Sequence, residues 1–389
     1  MEATTGARPP RAARLAVAAM FLVAGAGQGT WVVRIPDVQR ALDLSPGALG
    51  LALFGLPLGL LGGVPVGGWA AVRWGSRPVT VLAALGYCAA LPTPALAASA
   101  AWLLVALVAF GAASGALDVA MNTQAVAVEA RYERPIMSSF HAVFSGGGLL
   151  GSAAGGAVAS LGIAPLPHLT AAAVVLGATS LVAAGRLLPA TVESHGHPGR
   201  RRVRPSGKLV ALGAFAFVVL LSEGAVADWS AVFLRQVRAA EAGLAGLGFA
   251  AFSLAMALGR LAGDSLRARL GPVALLRGGA VLAAAGMTLA VAPGSVPASI
   301  VGFALVGAGL STLFPVVLGV AGRSSDAATG AVIATVTLFG YVGFLVGPPL
   351  IGLLADVEGL RAALAVVALL CLLLIPLAAR AGDAPRPSS

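Results

Sequence analysis

The chain has 389 residues, of which 58% are hydrophobic and only 10% charged, and its mean hydropathy is +0.94. Soluble domains carry roughly 25% charged residues, so an ordinary cytosolic enzyme is excluded, and the apolar content equally excludes a disordered chain. The net charge of +10 does not point to nucleic acid, because the basic residues sit in short gaps between apolar runs and not on one face of a soluble domain.

A helix needs about 20 apolar residues to cross the hydrocarbon core of a bilayer. In chain order the apolar runs predict spans at 13–33, 48–70, 79–97, 101–125, 136–160, 168–188, 209–230, 243–265, 273–291, 297–320, 328–352 and 360–380. The first span follows Arg8, Arg11 and Arg14, a pattern that also opens a signal peptide, but its length and the eleven spans after it predict that it is retained. An even number of spans puts both termini on one side. With that side cytosolic, 20 of the 25 Lys and Arg residues face inward, and only Arg34, Arg40, Arg235, Arg238 and Arg361 face outward. The positive-inside rule therefore predicts a multi-pass cell-membrane protein with cytosolic termini.

Between spans 6 and 7 lies the one long polar stretch, 189–207. It reads as a cytosolic linker dividing an N-terminal bundle, 1–188, from a C-terminal bundle, 208–389. Its His195 and His197 are too few for a metal site. Cys88 and Cys371 lie inside apolar runs, so no disulfide framework is expected.

The two halves are related in sequence. An offset of 196 carries Gly63, Gly67, Arg73 and Gly75 onto Gly259, Gly263, Arg269 and Gly271, and carries Gly111, Gly151 and Gly156 onto Gly307, Gly347 and Gly352. Six spans repeated in one orientation predict two six-helix bundles related by a pseudo-two-fold axis along the membrane normal, with a site near the midplane between them. A gated carrier follows from that arrangement more naturally than a pore.

Twelve spans, a six-plus-six parallel repeat and a basic central loop resemble the major facilitator superfamily. The loop after span 2 is similar to that superfamily's signature at Gly68, Arg73, Gly75 and Arg77, with Val72 where the signature has an acid. The second half has Gly259, Arg260, Gly263, Asp264, Arg269 and Gly271 at the corresponding place. More narrowly, three stretches resemble the fucose-permease-like branch and its bacterial relatives. They are Gly115 to Asn122 with Asp118, Ser139-Phe140-His141 with Gly146-Gly147-Gly148, and Leu313-Phe314-Pro315. Those permeases also carry an acid in span 1, which this chain lacks before Pro36. The resemblance implies an all-α polytopic fold, a small polar sugar-like solute as partner, and a monomer.

Ionisable groups inside a span are functional candidates by default. Asp118 and Asn122, four residues apart, share one face of span 4. An acid at mid-depth can alternate between charged and neutral forms, which suits Asp118 to carry a proton, although such a group also hydrogen-bonds between helices. His141, counted from the turn between spans 4 and 5, falls at the depth of Asn122 and forms a polar stripe with Ser138 and Ser145. Glu223 lies in the outer half of span 7 and is the third proton-coupling candidate, whereas Asp228 falls near the outer surface. Gln28, Trp31, Asn122, Gln124, Ser138, Ser145, Trp229 and Tyr341 are candidates for binding solute. Arg34 is expected to snorkel at the outer end of span 1.

The basic residues Arg73, Arg77, Arg260 and Arg269, with Asp264, are expected at the cytosolic rim, where pairs form in one state and break in another. The sequence contains no Gly-x-x-x-x-Gly-Lys-Ser/Thr loop, no His-Glu-x-x-His and no Cys-x-x-Cys, so nucleotide hydrolysis, metal chemistry and a cofactor are not expected. The expectation is a proton-coupled secondary transporter, with a proton-driven exporter of drug-like or amphipathic compounds as the alternative.

Overall fold

A computed structural model of the chain describes residues 10–132, 136–189, 207–322 and 329–382, and these form helices and turns with no strand among them. Eleven helical stretches are long and apolar enough to cross a membrane, and the last, Thr335–Ala379, is 45 residues long. That is about twice what one crossing needs. Gly359 stands inside it at φ 81°, a left-handed conformation that ends one helix before the next begins. The stretch is therefore two spans, and the total is twelve.

The spans are α1 (Arg11–Ala41), α2 (Pro46–Trp74), α3 (Ser76–Leu96), α4 (Ala100–Glu129), α5 (Met137–Ser160), α6 (Pro165–Ala184) and α7 (Gly207–Gln236). A break at Gly271, φ 75°, separates α8 (242–270) from α9 (272–291). They are followed by α10 (Val296–Ala321), α11 (329–358) and α12 (360–382). Of the predicted linker, 190–206 lies outside the described residues, His195 and His197 included.

Local chemistry starts the helices where they start. Ser45 Oγ accepts from the Ala48 N–H at 3.2 Å with Pro46 in the first turn. Ser295 Oγ accepts from Ala298 N–H at 3.4 Å, again followed by a proline in the first turn. A side-chain acceptor satisfies an orphan N–H, and proline needs none there. The most apolar windows of α1 and α7 are each 72% buried, against 22% for α6, so α1 and α7 stand at the centre while α6 turns Val174, Val175, Leu181 and Val182 outward to lipid.

The internal repeat is a packing repeat. A Cβ on Gly111 would strike the Leu56 carbonyl oxygen, and a Cβ on Gly307 would strike the Phe252 carbonyl oxygen. Both members of each pair are related by the same 196-residue offset. Gly75 and Gly271, also related by it, have φ 87° and 75° and break the chain at the same turn of each bundle. Only glycine permits these conformations and close backbone crossings without strain.

The bundles press together at the end of the molecule away from the termini. Gln236 Nε2 donates to Gln39 Oε1 at 2.8 Å. Asp356, on α11, accepts from Ser45 Oγ at 3.2 Å and from the Gly47 N–H at 2.9 Å, capping α2 across the interface. Below this seal a Cβ on Gly50 would stand 2.5 Å from the Pro348 carbonyl oxygen and 3.0 Å from the Gly352 Cα. Between α5 and α8, a Cβ on Gly246 would lie 2.9 Å from the Ser152 carbonyl oxygen. The far end is thus closed by backbone-to-backbone contact, a geometry that larger residues would forbid.

Candidate functional site

Beneath the seal lies a cavity of about 630 Å³ between the two bundles. Its wall runs from Trp31, Val32, Asp228 and Pro348 towards Met137, Ser138, Arg267 and Leu318 on the side of the termini. Each bundle contributes an acid to it: Asp118 on α4 from the first, Glu223 and Asp228 on α7 from the second.

Asp118 and Asn122 meet as their spacing predicts. Asn122 Nδ2 donates to Asp118 Oδ1 at 3.0 Å and to the Asp118 carbonyl oxygen at 2.8 Å. Tyr341, on α11 of the other bundle, lies within electrostatic reach of Asp118 and lines the same cavity. His141 and Ser138 on α5 also face it, as do Gln28 and Trp31 on α1. Spans 4 and 5 therefore bring Asn122 and His141 to one wall.

Arg260 stands elsewhere than the sequence suggests. It was expected at the rim, but it lines the cavity. Its Nη1 donates to Ser145 Oγ at 2.8 Å, and its Nη2 is 3.8 Å from Glu223 Oε1. One guanidinium thus ties the α5 wall of the first bundle to α7 and α8 of the second. Ser145 is only 5% exposed and serves as the acceptor of this bridge. Helix α8 continues past the apolar run by several residues, so Arg260 is roughly 15 Å from its end at 1.5 Å per residue.

Asp228, placed near the outer surface by the sequence, also faces the cavity, because α7 continues to Gln236. The helical signal was available: Leu220, Gly224 and Asp228 recur at every fourth position and all three line the cavity. Arg34 does not snorkel. It is 2% exposed; its Nε donates to His168 Nδ1 at 2.9 Å and its Nη1 pairs with Asp37 at 2.9 Å.

Three solute-binding candidates are not on the cavity lining: Ser145, which accepts from Arg260, Trp229 and Gln124. Trp229 is fully buried in its own bundle. Gln124 joins three elements of the first bundle: its Nε2 donates to Ser76 Oγ at 2.6 Å and to the Leu188 carbonyl oxygen at 3.0 Å, and its Oε1 accepts from the Leu188 N–H at 2.9 Å. Gln124→Leu leaves the buried Leu188 N–H without a partner and lowers thermal stability by about 1–3 kcal/mol. A thermal melt of purified protein checks this. Arg73 and Arg269 are exposed and Arg77 is half-buried at the end bearing the termini; the Asp264 side chain lies outside the described residues.

A family model described as Major Facilitator Superfamily matches residues 16–237 and 209–389. The chain belongs to that superfamily. Its relatives include an uncharacterized MFS-type transporter of Yersinia pestis, 38% identical over 93% of this chain and 93% of that one. Membrane protein MosC of Rhizobium meliloti is 33% identical over 90% of this chain and 85% of its own length. Among solved structures, a bacterial homolog of the human lysosomal transporter Spinster, inward-facing and occupied, superposes with a TM-score of 0.76 at 16% identity, covering 96% of this chain and 97% of that one. The nucleoside transporter NupG gives 0.72 at 12% identity, covering 94% of this chain and 98% of that one. The fold is therefore the major facilitator fold, and the family is one of membrane transporters, not enzymes.

Proposed function

We propose that the protein is a secondary active transporter that moves a small organic solute by alternating access and is coupled to protons through Asp118, with His141 and Glu223 assisting. The observation that carries this reading is the Asp118–Asn122 pair on the wall of the inter-bundle cavity, facing Tyr341 of the opposite bundle. With residues 1–188 and 208–389 moving as two bodies about the 189–207 linker, and with both termini cytosolic in the cell membrane, the sealed far end is extracellular and the cavity serves the cytosol. Gln28, Asn122, Ser138 and Tyr341 supply hydrogen bonds to a polar solute. Arg73, Arg77, Asp264 and Arg269 act at the cytosolic rim, and the carrier works as a monomer. Arg260 belongs instead to the cavity.

The aromatic wall favours a second reading, an exporter of amphipathic compounds. Phe21, Phe110, Phe144, Phe314 and Phe344 line the same space and suit a solute with an apolar face. Uptake into proteoliposomes under an imposed pH gradient, with labelled sugars, polyols and cationic dyes in both gradient directions, separates the two. Accumulation of a polar solute with protons supports symport. Dye moved against its gradient in exchange for protons supports the exporter, and transport indifferent to the pH gradient overturns proton coupling.

A further inference from the structure

Resting on the transporter reading, we infer that the solute is an organic cation: a protonated amine on a partly apolar body that also bears a hydrogen-bond acceptor, held at Asp228. The cavity's charges are unevenly committed. Glu223 has Arg260 beside it, and Arg260 is further fixed by Ser145. Among the described residues Asp118 receives only the neutral Asn122 amide, and neither Asp118 nor Asp228 forms an ion pair. His141 lies within electrostatic reach of Arg260, and Arg267 is on the lining towards the termini, against Gly319.

Two acids without a cation beside them, one on each bundle, therefore line a single cavity; Asp228, roughly 15 Å nearer the sealed end than Asp118 at 1.5 Å per residue, is the one that proton coupling through Asp118 leaves unused. Dehydrating such charges costs several kcal/mol each unless an opposite charge is supplied. A neutral solute supplies none, whereas an ammonium supplies one to Asp228.

The walls add two independent preferences. Trp31 lines the cavity and is 1% exposed, yet its Nε1 N–H has no hydrogen-bond partner; an acceptor atom on the solute satisfies it. Aromatic faces attract a cation as well as an apolar body. Phe344, whose ring sits where a Cβ on Gly224 would be 3.0 Å away, packs one helical turn from Asp228, and Phe110 and Phe314 stand on the cavity wall.

The test is binding to purified protein in nanodiscs, measured by calorimetry and by thermal shift, with three probes of nearly one shape: phenethylamine, 2-phenylethanol and phenylacetate. The expected result is that phenethylamine binds and stabilises the protein, with the alcohol and the carboxylate weaker by roughly tenfold or more, the loss that removing one partner of a desolvated charge pair brings. Asp228→Asn loses that preference while eluting as a monodisperse peak, and Asp228→Glu keeps it. Equal binding of the amine and the alcohol, preference for phenylacetate, no binding of any probe, or an unchanged preference in Asp228→Asn overturns the inference. These outcomes are separable from the transporter reading. Amine binding without pH-driven transport removes proton coupling alone, and pH-driven uptake of a neutral sugar without amine binding removes the cation alone.

Discussion

Asp118→Asn abolishes solute accumulation driven by a pH gradient and leaves exchange at zero gradient in place. The substitution preserves shape, and the amide oxygen still accepts from Asn122 Nδ2, the contact that Asp118 Oδ1 makes at 3.0 Å. What it removes is the ability to take up a proton. A gradient of one pH unit coupled to one proton is worth about 1.4 kcal/mol, which supports roughly tenfold accumulation; the variant equilibrates its solute to a ratio near one. Exchange of labelled for unlabelled solute across proteoliposomes persists, because it needs the cavity and the moving bundles but no net proton transfer. If Asp118 were only a hydrogen-bonding link between helices, the variant would be less stable in a thermal melt and would accumulate solute as the parent does.

The twelve spans and their pairing into repeated bundles were legible because apolar runs of the right length can only be helices in a bilayer, and because the recurring glycines mark backbone crossings. Helix ends were not legible, since a helix continues past its apolar run wherever polar side chains find partners. That single limit accounts for three placements. Helix α1 continues to Ala41, so Arg34 is enclosed beside His168 and Asp37. Helix α7 continues to Gln236, which draws Asp228 into the cavity. Helix α8 continues to residue 270, and Arg260 moves from the rim to the wall.

Facing was legible where cavity-lining residues repeat at helical spacing. Asp118 and Asn122 do, and they meet on the cavity wall. Gln124, two residues further on, is rotated about 200° at roughly 100° per residue and faces Ser76 instead. Trp229 is rotated about 100° from Asp228 by the same geometry and is buried in its own bundle. Composition marks both as candidates for solute, and rotation about the helix axis decides against them.

Gly50→Leu holds the carrier open at the end opposite the termini. In the closed arrangement the new Cβ meets the Pro348 carbonyl oxygen at 2.5 Å and the Gly352 Cα at 3.0 Å, both backbone atoms that cannot turn aside as a side chain can. When α2 and α11 part, the leucine faces open space and the clash vanishes. Overpacking of this kind costs about 1–3 kcal/mol, which shifts the ratio of closed to open by roughly five- to 150-fold. The seal above it is polar and comparatively weak: Gln39 with Gln236, and Asp356 with Ser45 and the Gly47 N–H. It therefore cannot offset the collision. The check is chemical access. A cysteine placed at Ser114, on the cavity wall, reacts with a membrane-impermeant maleimide from the far side in Gly50→Leu and is protected there in the parent; Cys88 and Cys371 are buried and contribute little background. Net transport falls in step with the labelling, because a bundle pair that cannot close at one end completes no cycle. Equal labelling in the two proteins would show that the glycine contact between α2 and α11 does not control closure.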